Sequence, residues 1–296
     1  MVYKARGVHS GDEKDTVGVK KTPMMSRWRP RRYLSFSGAI LLLLLALSLS
    51  GPRYHGPPGS FAFGTNAISQ PPPSALILTA HPDDEAMFFS PTILHLVETG
   101  WEIRAICLST GNAAGLGEKR SKELYASYEV LGVPQSHVEL VDNELLQDGM
   151  TGWHQWQPAI IANIVSRHLS HHPASIMITF DSTGITHHPN HTPLHLSHTL
   201  LPPRNRTSPT SLPRPRLLVL KSPPLATKFT GPLWILVDRI KRLADPTRES
   251  HTFVADLKGY KRGIEAMLQH QSQLVWFRWL YLAFSRLMWI NELVEA

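Results

Sequence analysis

The sequence predicts an α/β protein in which a mostly parallel, Rossmann-like sheet carries helices on both faces and follows an N-terminal membrane anchor. Two patterns predict this class. From Ser74 onward, short apolar runs alternate with segments of helical spacing, as parallel βαβ units require. An uncharged, leucine-rich stretch precedes them. The single cysteine, Cys107, excludes an intramolecular disulfide framework and a zinc site built from cysteines.

The positive charge of the chain is concentrated at its N-terminus. The 296 residues carry 30 Lys and Arg against 23 Asp and Glu, which gives a net charge of +7. Residues 1–33 hold nine basic and three acidic residues, so this basic arm accounts for six of the seven excess charges. The remaining chain is close to neutral, which argues against binding of a polyanion by the whole protein. We therefore predict no nucleic-acid partner.

Residues 34–50 contain no charge and a continuous leucine core, and they follow the strongly basic segment RWRPRRY. Their length is near the lower limit for crossing a bilayer. We predict a retained transmembrane anchor rather than a cleaved signal peptide, because the basic region would be unusually long for a signal peptide. Cleavage stays open as the alternative. Residues 51–73 are rich in Gly and Pro and are predicted to form a linker.

The rest of the chain, 74–296, is predicted to form one domain. Buried strands are expected where apolar runs occur, over 74–80, 102–110, 137–142 and 175–181. Helices are expected between them, over 85–99, 118–131 and 153–169. In open parallel sheets the binding residues gather in loops just past the carboxyl ends of the strands. A Pro- and Arg-rich segment at 201–216 looks like a flexible insertion.

Ionisable residues are concentrated in two of these loops. AHPDDE (80–85) follows the first strand, and a segment containing His187, His188 and His191 follows the strand at 175–181. Alone, the first motif has a simpler interpretation as a helix cap, and the second as solvated surface. Together the two loops offer two imidazoles and a carboxylate, which is the ligand set of a catalytic zinc. Their joint occurrence favours a metal site.

Other residues are weaker candidates. Asn112 and Arg120 follow the second strand, and both are candidates for contact with substrate; Arg120 would either grip a phosphate or order its loop through Glu123. For Glu85, a helix-terminal role and a role within the metal loop are both open. Six aromatic residues and two arginines lie within 276–289. They are typical either of an interfacial helix or of a helix packed on the sheet.

The chain resembles the N-acetylglucosaminyl-phosphatidylinositol de-N-acetylases (PIG-L, within the LmbE-like deacetylases) over about Ser74 to Leu293. The resemblance rests on four segments, which are AHPDDE (80–85), the glycine-rich segment 111–123, TFD…HPNH (179–191) and AMLQHQSQLVWFRWLYLAFSRLMWIN (266–291). The last segment looks specific to the eukaryotic glycosylphosphatidylinositol (GPI) branch.

This resemblance implies a function and roles at the matching positions. It implies a zinc-dependent hydrolase, with another divalent metal possible, that removes the N-acetyl group of N-acetylglucosaminyl-phosphatidylinositol in GPI-anchor biosynthesis. His81, Asp84 and His191 would hold the metal, Asp83 would be the general base, and His188 would stabilise the oxyanion. The expected partners are the glycolipid substrate and the lipid bilayer. The alternatives are a deacetylase of a soluble N-acetyl-sugar conjugate and a non-enzymatic, basic-armed binding protein.

The sequence gives conflicting signals on membrane orientation. A basic flank stays cytosolic, which would place the domain in the lumen. The resemblance instead implies the cytosolic face of the endoplasmic reticulum. Asn190-His191-Thr192 is an N-glycosylation sequence, and a glycan on Asn190 would block a site that contains His191. We therefore expect the catalytic domain on the cytosolic face.

Overall fold

The computed structural model describes residues 30–57, 72–148, 156–202 and 214–296. Residues 41–296 form one unit. Of the other unit, residues 1–40, only 30–40 are described, as the first turns of a helix. Most of the predicted basic arm, the central part of the linker and the central part of the 201–216 insertion lie outside the described residues. The predicted domain boundaries stay predictions.

Eight strands form a single sheet. They are β1 (Tyr54–His55), β2 (Ser74–Thr79), β3 (Glu102–Cys107), β4 (Val138–Leu140), β5 (Ile176–Phe180), β6 (Arg216–Leu220), β7 (His251–Val254) and β8 (Ile290–Glu295). Their order is β1-β7-β8-β6-β5-β2-β3-β4. The strands from β6 to β4 pair in parallel, whereas β8, β7 and β1 add an antiparallel end. The sheet is therefore mixed, and the four predicted strands all belong to its parallel part.

The parallel strands form because their sequences are suited to burial on both faces. Leu76, Ile77 and Leu78 of β2 are fully buried, and all five residues of β5 are buried. The register pairs Ala75 with Ile176 and Ile77 with Ile178, so β2 and β5 run side by side and end at the same edge.

Helices connect and cover the strands. They are α1 (Pro30–Leu49), α2 (Ser90–Glu98), α3 (Gly117–Leu131), α4 (Pro158–His171), α5 (Gly184–His187), α6 (Thr192–Thr199), α7 (Leu225–Lys228), α8 (Leu233–Ala244), α9 (Leu257–Gln269) and α10 (Trp276–Phe284). The connections from β2 to β3 through α2 and from β3 to β4 through α3 move along the sheet toward β4. The connections from β4 to β5 through α4 and from β5 to β6 through α6 move in the opposite direction, toward β6. Because parallel crossovers are right-handed, the two pairs lie on opposite faces. The contacts agree, since α9 packs on α2 and α3 while α4 packs on α6.

The direction of strand order reverses between β2 and β5. In such a sheet the loops that leave the two central strands turn toward opposite faces, which opens a crevice at their carboxyl ends. The loop after β2 is the AHPDDE segment, and the loop after β5 carries His188 and His191. The strand order alone therefore brings together the two loops in which the sequence concentrates its ionisable residues.

The segment predicted as an anchor is helical, since α1 spans Pro30–Leu49. Within the described ranges, however, no helix has both the length and the apolarity that crossing a membrane demands. The transmembrane anchor predicted over 34–50 is thus not supported by these residues.

Candidate metal centre

The first loop, residues 80–84, leaves the end of β2 and continues into a π-helical turn, Glu85–Phe89. Within it, Oδ2 of Asp84 accepts hydrogen bonds from the backbone N–H groups of Ala80 and His81, both at 3.0 Å. Burial opposes the ionisation of Asp84, but the neighbouring His191 and His81 hold its pKa well below its ordinary value. Asp84 is therefore a fixed carboxylate at neutral pH.

The second loop, residues 181–191, follows β5 and fixes the ring of His191. This ring stacks on Phe180 with the centroids 4.0 Å and the planes 2° apart. Its Nδ1 lies 3.2 Å from the carbonyl oxygen of Gly184, so Nδ1–H donates to the carbonyl and Nε2 keeps its lone pair. Gly184 has a φ of 58°, and a Cβ there would lie 2.8 Å from Cβ of His191, so the turn requires glycine.

His81 is oriented in the same way by a carboxylate. Its Nε2 lies 3.3 Å from Oδ1 of Asp148, so Nε2–H donates to Asp148 and Nδ1 keeps its lone pair. Burial alone would lower the pKa of His81, but Asp148 and Asp84 raise it. The side-chain amide of Asn190 also lies 3.0 Å from Nε2. Because an amide NH2 can only donate, this tautomer of His81 requires the amide oxygen of Asn190 to face the ring.

Three side chains with electron-rich atoms converge between the two loops. Nε2 of His191 lies 3.4 Å from Nδ1 of His81 and 3.3 Å from Oδ1 of Asp84. Nδ1 of His81 lies 3.8 Å from Oδ2 of Asp84. All three residues are buried. Buried lone pairs at such distances repel one another unless a cation lies among them. Zinc–ligand bonds of about 2.0–2.1 Å in a tetrahedron place ligand atoms roughly 3.3 Å apart, so this donor set fits a divalent metal.

His188 is a second candidate for the third ligand, because nitrogen atoms of His81, His188 and His191 all lie within 4.8 Å of one another. Burial and the nearby His191 and His81 lower the pKa of His188 to about 4, so its ring is neutral at neutral pH. Its Nδ1 accepts a hydrogen bond from the backbone N–H of Asn190 at 3.3 Å. The ring proton is therefore on Nε2, which then donates rather than binds metal. This tautomer favours Asp84 as the third ligand.

Asp83 lies beside this group in a strained backbone conformation, with a φ of 116°. Its backbone N–H donates to Oε2 of Glu85 at 3.2 Å, and its Oδ2 accepts from Nη2 of Arg278 at 3.0 Å. Burial raises the pKa of Asp83, an effect that Arg278 opposes and Asp84 reinforces. Strained residues cluster at functional sites, and a raised pKa brings a carboxylate closer to the range useful for a base.

A buried ion pair between Glu85 and His270 lies next to the first loop. Glu85 and His270 are both fully buried, with Oε1 of Glu85 2.5 Å from Nε2 of His270. The hydroxyl of Ser127 donates to the same oxygen, also at 2.5 Å. Of the two roles left open for Glu85, the structure places it within the metal loop, because its other oxygen holds the backbone of Asp83.

The candidate substrate residues occupy different positions. Arg120 lines the pocket, but its terminal nitrogens donate to the carbonyl oxygens of Gly111 at 3.0 Å and Pro82 at 2.6 Å, which ties two loops together. Glu123 instead accepts from Ser272. Asn112 is not a lining residue; its Oδ1 accepts from the N–H of Gly117 at 2.9 Å. Contact of Asn112 and Arg120 with substrate stays a prediction.

The side chains of the candidate metal centre line a cavity of about 390 Å³. Its lining includes His81, Asp83, Asp84, Arg120, His188 and His191, together with residues that sequence reasoning did not identify, above all Asp148, Lys228 and Arg278. Asp148 lies beyond β4, the third predicted strand, so its position past a strand end was the available signal. Lys228 comes from a distant helix, and no local motif marks it. Arg278 lies within the C-terminal segment 266–291, but the pattern of that segment does not show that this arginine reaches the pocket.

The fold and the site define an α/β protein of Rossmann-like architecture with a candidate metal centre at the reversal of strand order. The sequence matches the family model described as PIG-L, GlcNAc-PI de-N-acetylase, over residues 76–198. An N-acetylglucosaminyl-phosphatidylinositol de-N-acetylase from Bos taurus is 35% identical over 223 residues, which cover 74% of this chain and 81% of the relative. A probable N-acetylglucosaminyl-phosphatidylinositol de-N-acetylase from Schizosaccharomyces pombe is 33% identical, covering 75% of this chain and 87% of the relative.

The chain belongs to the N-acetylglucosaminyl-phosphatidylinositol de-N-acetylase family, as its resemblance predicted. This membership confirms the prediction of a deacetylase and excludes the non-enzymatic alternative. Among solved structures, an N,N'-diacetylchitobiose deacetylase from Pyrococcus horikoshii has the same fold, with a TM-score of 0.52 and 14% identity over 88% of this chain and 92% of that chain.

Proposed function

We propose that this enzyme hydrolyses the N-acetyl group of N-acetylglucosaminyl-phosphatidylinositol, giving glucosaminyl-phosphatidylinositol and acetate in GPI-anchor biosynthesis. The observation that carries the proposal is the convergence of His81, Asp84 and His191 between the β2 and β5 loops of a family member. These three residues would hold Zn²⁺ or another divalent metal. The metal would supply Lewis-acid polarisation of the amide carbonyl and a lowered pKa for water.

The side chains around this centre suit amide hydrolysis. Asp83 takes the proton of the attacking water, and its buried position keeps the carboxylate basic enough for that role. Nε2–H of neutral His188 donates to the carbonyl oxygen as negative charge develops there. When the C–N bond breaks, the proton held by Asp83 passes to the leaving amine. Asp148 keeps His81 in the tautomer that binds metal.

The test of this proposal is acetate release from the purified full-length chain, supplied with N-acetylglucosaminyl-phosphatidylinositol. We expect release that stops with a chelator and returns with one added divalent metal, whose identity metal analysis of the active protein establishes. Release that persists without metal would contradict the metal assignment. Hydrolysis of a soluble N-acetyl-sugar conjugate, with none of the glycolipid, would favour the alternative substrate class.

We further propose that the enzyme acts at the endoplasmic reticulum membrane, with its catalytic domain on the cytosolic face. The helix α10 supports contact with a bilayer. Trp276 is 75% exposed and Phe277, Trp279, Leu280 and Phe284 are each at least 50% exposed, whereas Tyr281 and Leu282 are buried. Exposed aromatic and aliphatic residues on one helix face are typical of an interfacial helix. The other face of α10 packs on the π-helical turn Glu85–Phe89, because the hydroxyl of Tyr281 donates to the carbonyl oxygen of Met87.

We expect Trp276→Ser/Trp279→Ser to reduce hydrolysis of glycolipid in vesicles about tenfold or more, because two apolar side chains lose their contact with lipid. Hydrolysis of a water-soluble headgroup analogue is expected to stay within about twofold, since neither residue lines the pocket. Leu196→Ser, which alters a 45% exposed residue of α6, is the matched control. Equal losses on both substrates would contradict bilayer contact by α10. Point substitutions are required because deletion of 274–296 would also remove β8.

A further inference from the structure

The pocket lining contains three basic side chains, from Arg120, Arg278 and Lys228. Two of them are engaged within the protein. Nη2 of Arg278 binds Asp83 at 3.0 Å, and the terminal nitrogens of Arg120 donate to loop carbonyls. Lys228 differs, because it forms no hydrogen bond and no ion pair with any other residue that the structure describes. Its Nζ lies 5.9 Å from the centroid of the Phe229 ring.

Lys228 is also buried, with 9% of its surface exposed. Burial of the side chain lowers the pKa of Lys228, and no carboxylate opposes this effect. Lysines are seldom buried to this extent unless they are paired. Lys228 thus lines the pocket without a hydrogen-bond or ion-pair partner among the residues that the structure describes, and its ammonium group is available to an anionic ligand.

The pocket carboxylates do not supply this partner. Asp83 pairs with Arg278, Asp84 lies 3.3 Å from His191, and Asp148 lies 3.3 Å from His81. Each of these three acids is thus matched by a cationic or imidazole side chain other than Lys228. An anionic group of the ligand is what the pocket lacks.

We propose that Lys228 binds the phosphodiester of the substrate and makes the enzyme selective for phosphate-bearing amino sugars. This inference rests on the proposed function, since the phosphodiester is the one anionic group of N-acetylglucosaminyl-phosphatidylinositol. A lysine ammonium binds phosphate as a compact point charge.

The surroundings of Lys228 suit the position of that group in the glycolipid. The phosphodiester joins the sugar headgroup to the diacylglycerol. Leu225 begins the same four-residue helix and is 78% exposed, and Phe229 directly after it is 49% exposed. The ammonium group of Lys228 therefore lies where the pocket lining meets exposed apolar surface. A phosphodiester between a sugar headgroup and acyl chains requires a binding group at such a position.

The test compares Lys228→Met with wild type on three substrates: the glycolipid, its lipid-free headgroup phosphate, and the phosphate-free N-acetylglucosaminyl-inositol. We expect KM for both phosphate-bearing substrates to rise roughly 10- to 100-fold, the range of a lost charge-assisted hydrogen bond. kcat is expected to stay nearly constant, and the phosphate-free substrate is expected to be unaffected. Lys228→Arg should restore most of the affinity, and Lys258→Met, at an exposed lysine, is the matched control.

Equal effects on the phosphate-free substrate, or an unchanged KM for all three, would overturn the proposal. Inhibition by inorganic phosphate distinguishes the source of the anion. If inorganic phosphate inhibits wild type while Lys228→Met leaves the KM for the glycolipid unchanged, Lys228 binds free phosphate only. This result also overturns the proposal. If wild type hydrolyses none of the substrates, the proposed function has failed. The binding affinity for the headgroup phosphate, measured by calorimetry, then tests the anion site by itself. Tighter binding by wild type than by Lys228→Met would then still support the anion site, and equal binding would refute it.

Discussion

Replacement of His191 by alanine is expected to remove both the bound metal and the activity, with acetate release lowered by at least about 10³-fold. The imidazole is one of the three ligands that we propose, and its Nε2 lies within 3.4 Å of atoms of both others, His81 and Asp84. With two protein ligands left, the site has fewer than the three ligands by which proteins hold a catalytic zinc ion. The measurements are metal content after dialysis and acetate release from N-acetylglucosaminyl-phosphatidylinositol. Full metal occupancy in His191→Ala would contradict the ligand assignment.

A matched variant separates metal binding from proton transfer. Asp83→Asn is expected to keep the metal and to lose roughly 10²- to 10⁴-fold in kcat, because the amide cannot take a proton from water. Asp83 is outside the ligand set, so its metal content should equal that of wild type. His187→Asn is the control in the second loop, since this exposed residue has a φ of 55°, which asparagine tolerates. A metal-free Asp83→Asn protein would show that this carboxylate is a ligand instead.

Replacement of His270 by alanine is expected to lower the free energy of unfolding by about 3–5 kcal/mol. Glu85 is fully buried, and its carboxylate is 2.5 Å from the His270 ring, so loss of the ring leaves a buried charge without its partner. Urea unfolding followed by circular dichroism measures the change. His171→Ala, an exposed histidine of α4, should have little effect.

The double variant Glu85→Gln/His270→Ala tests the physical reason for that loss. Removal of the carboxylate charge together with the histidine leaves no uncompensated ion, so the double variant should be more stable than His270→Ala alone. If the double variant is less stable than His270→Ala, the loss comes from packing rather than from charge.

Four of the five parallel strands and the two ionisable loops could be predicted because their causes are local. The fifth, β6, was not predicted, and its first residue, Arg216, lies in the segment expected to be an insertion. Strands buried on both faces appear as continuous apolar runs, and β2 and β5 are such runs. The antiparallel end is different. β8 reads INELVE, and Glu292 within it is buried only because Lys221 lies 3.2 Å away and Arg248 also binds it. A strand that depends on ion pairs with distant residues has no apolar signature of its own.

The site shows the same limit. His81, Asp84 and His191 stand in two short motifs, so their residue types and positions were readable. Asp148 follows Asp142 and Glu144 in a loop with several acids, and only the fold selects the one that contacts His81. Lys228 and Arg278 reach the pocket from α7 and α10, far along the chain. Their roles depend on packing between helices, which no pattern of residue types encodes.

The helix α10 makes the chemistry of the pocket sensitive to its surroundings. Its nine residues present exposed Trp276 and Trp279 outward, while Arg278 binds Asp83 and the hydroxyl of Tyr281 donates to the backbone carbonyl of Met87 at 2.9 Å. Arg278, which lowers the pKa of Asp83, thus belongs to the same helix as the exposed tryptophans. A tilt of this helix would change the distance between Arg278 and Asp83. Contact made outside the protein would then change the pKa of Asp83, the carboxylate that we propose as the base.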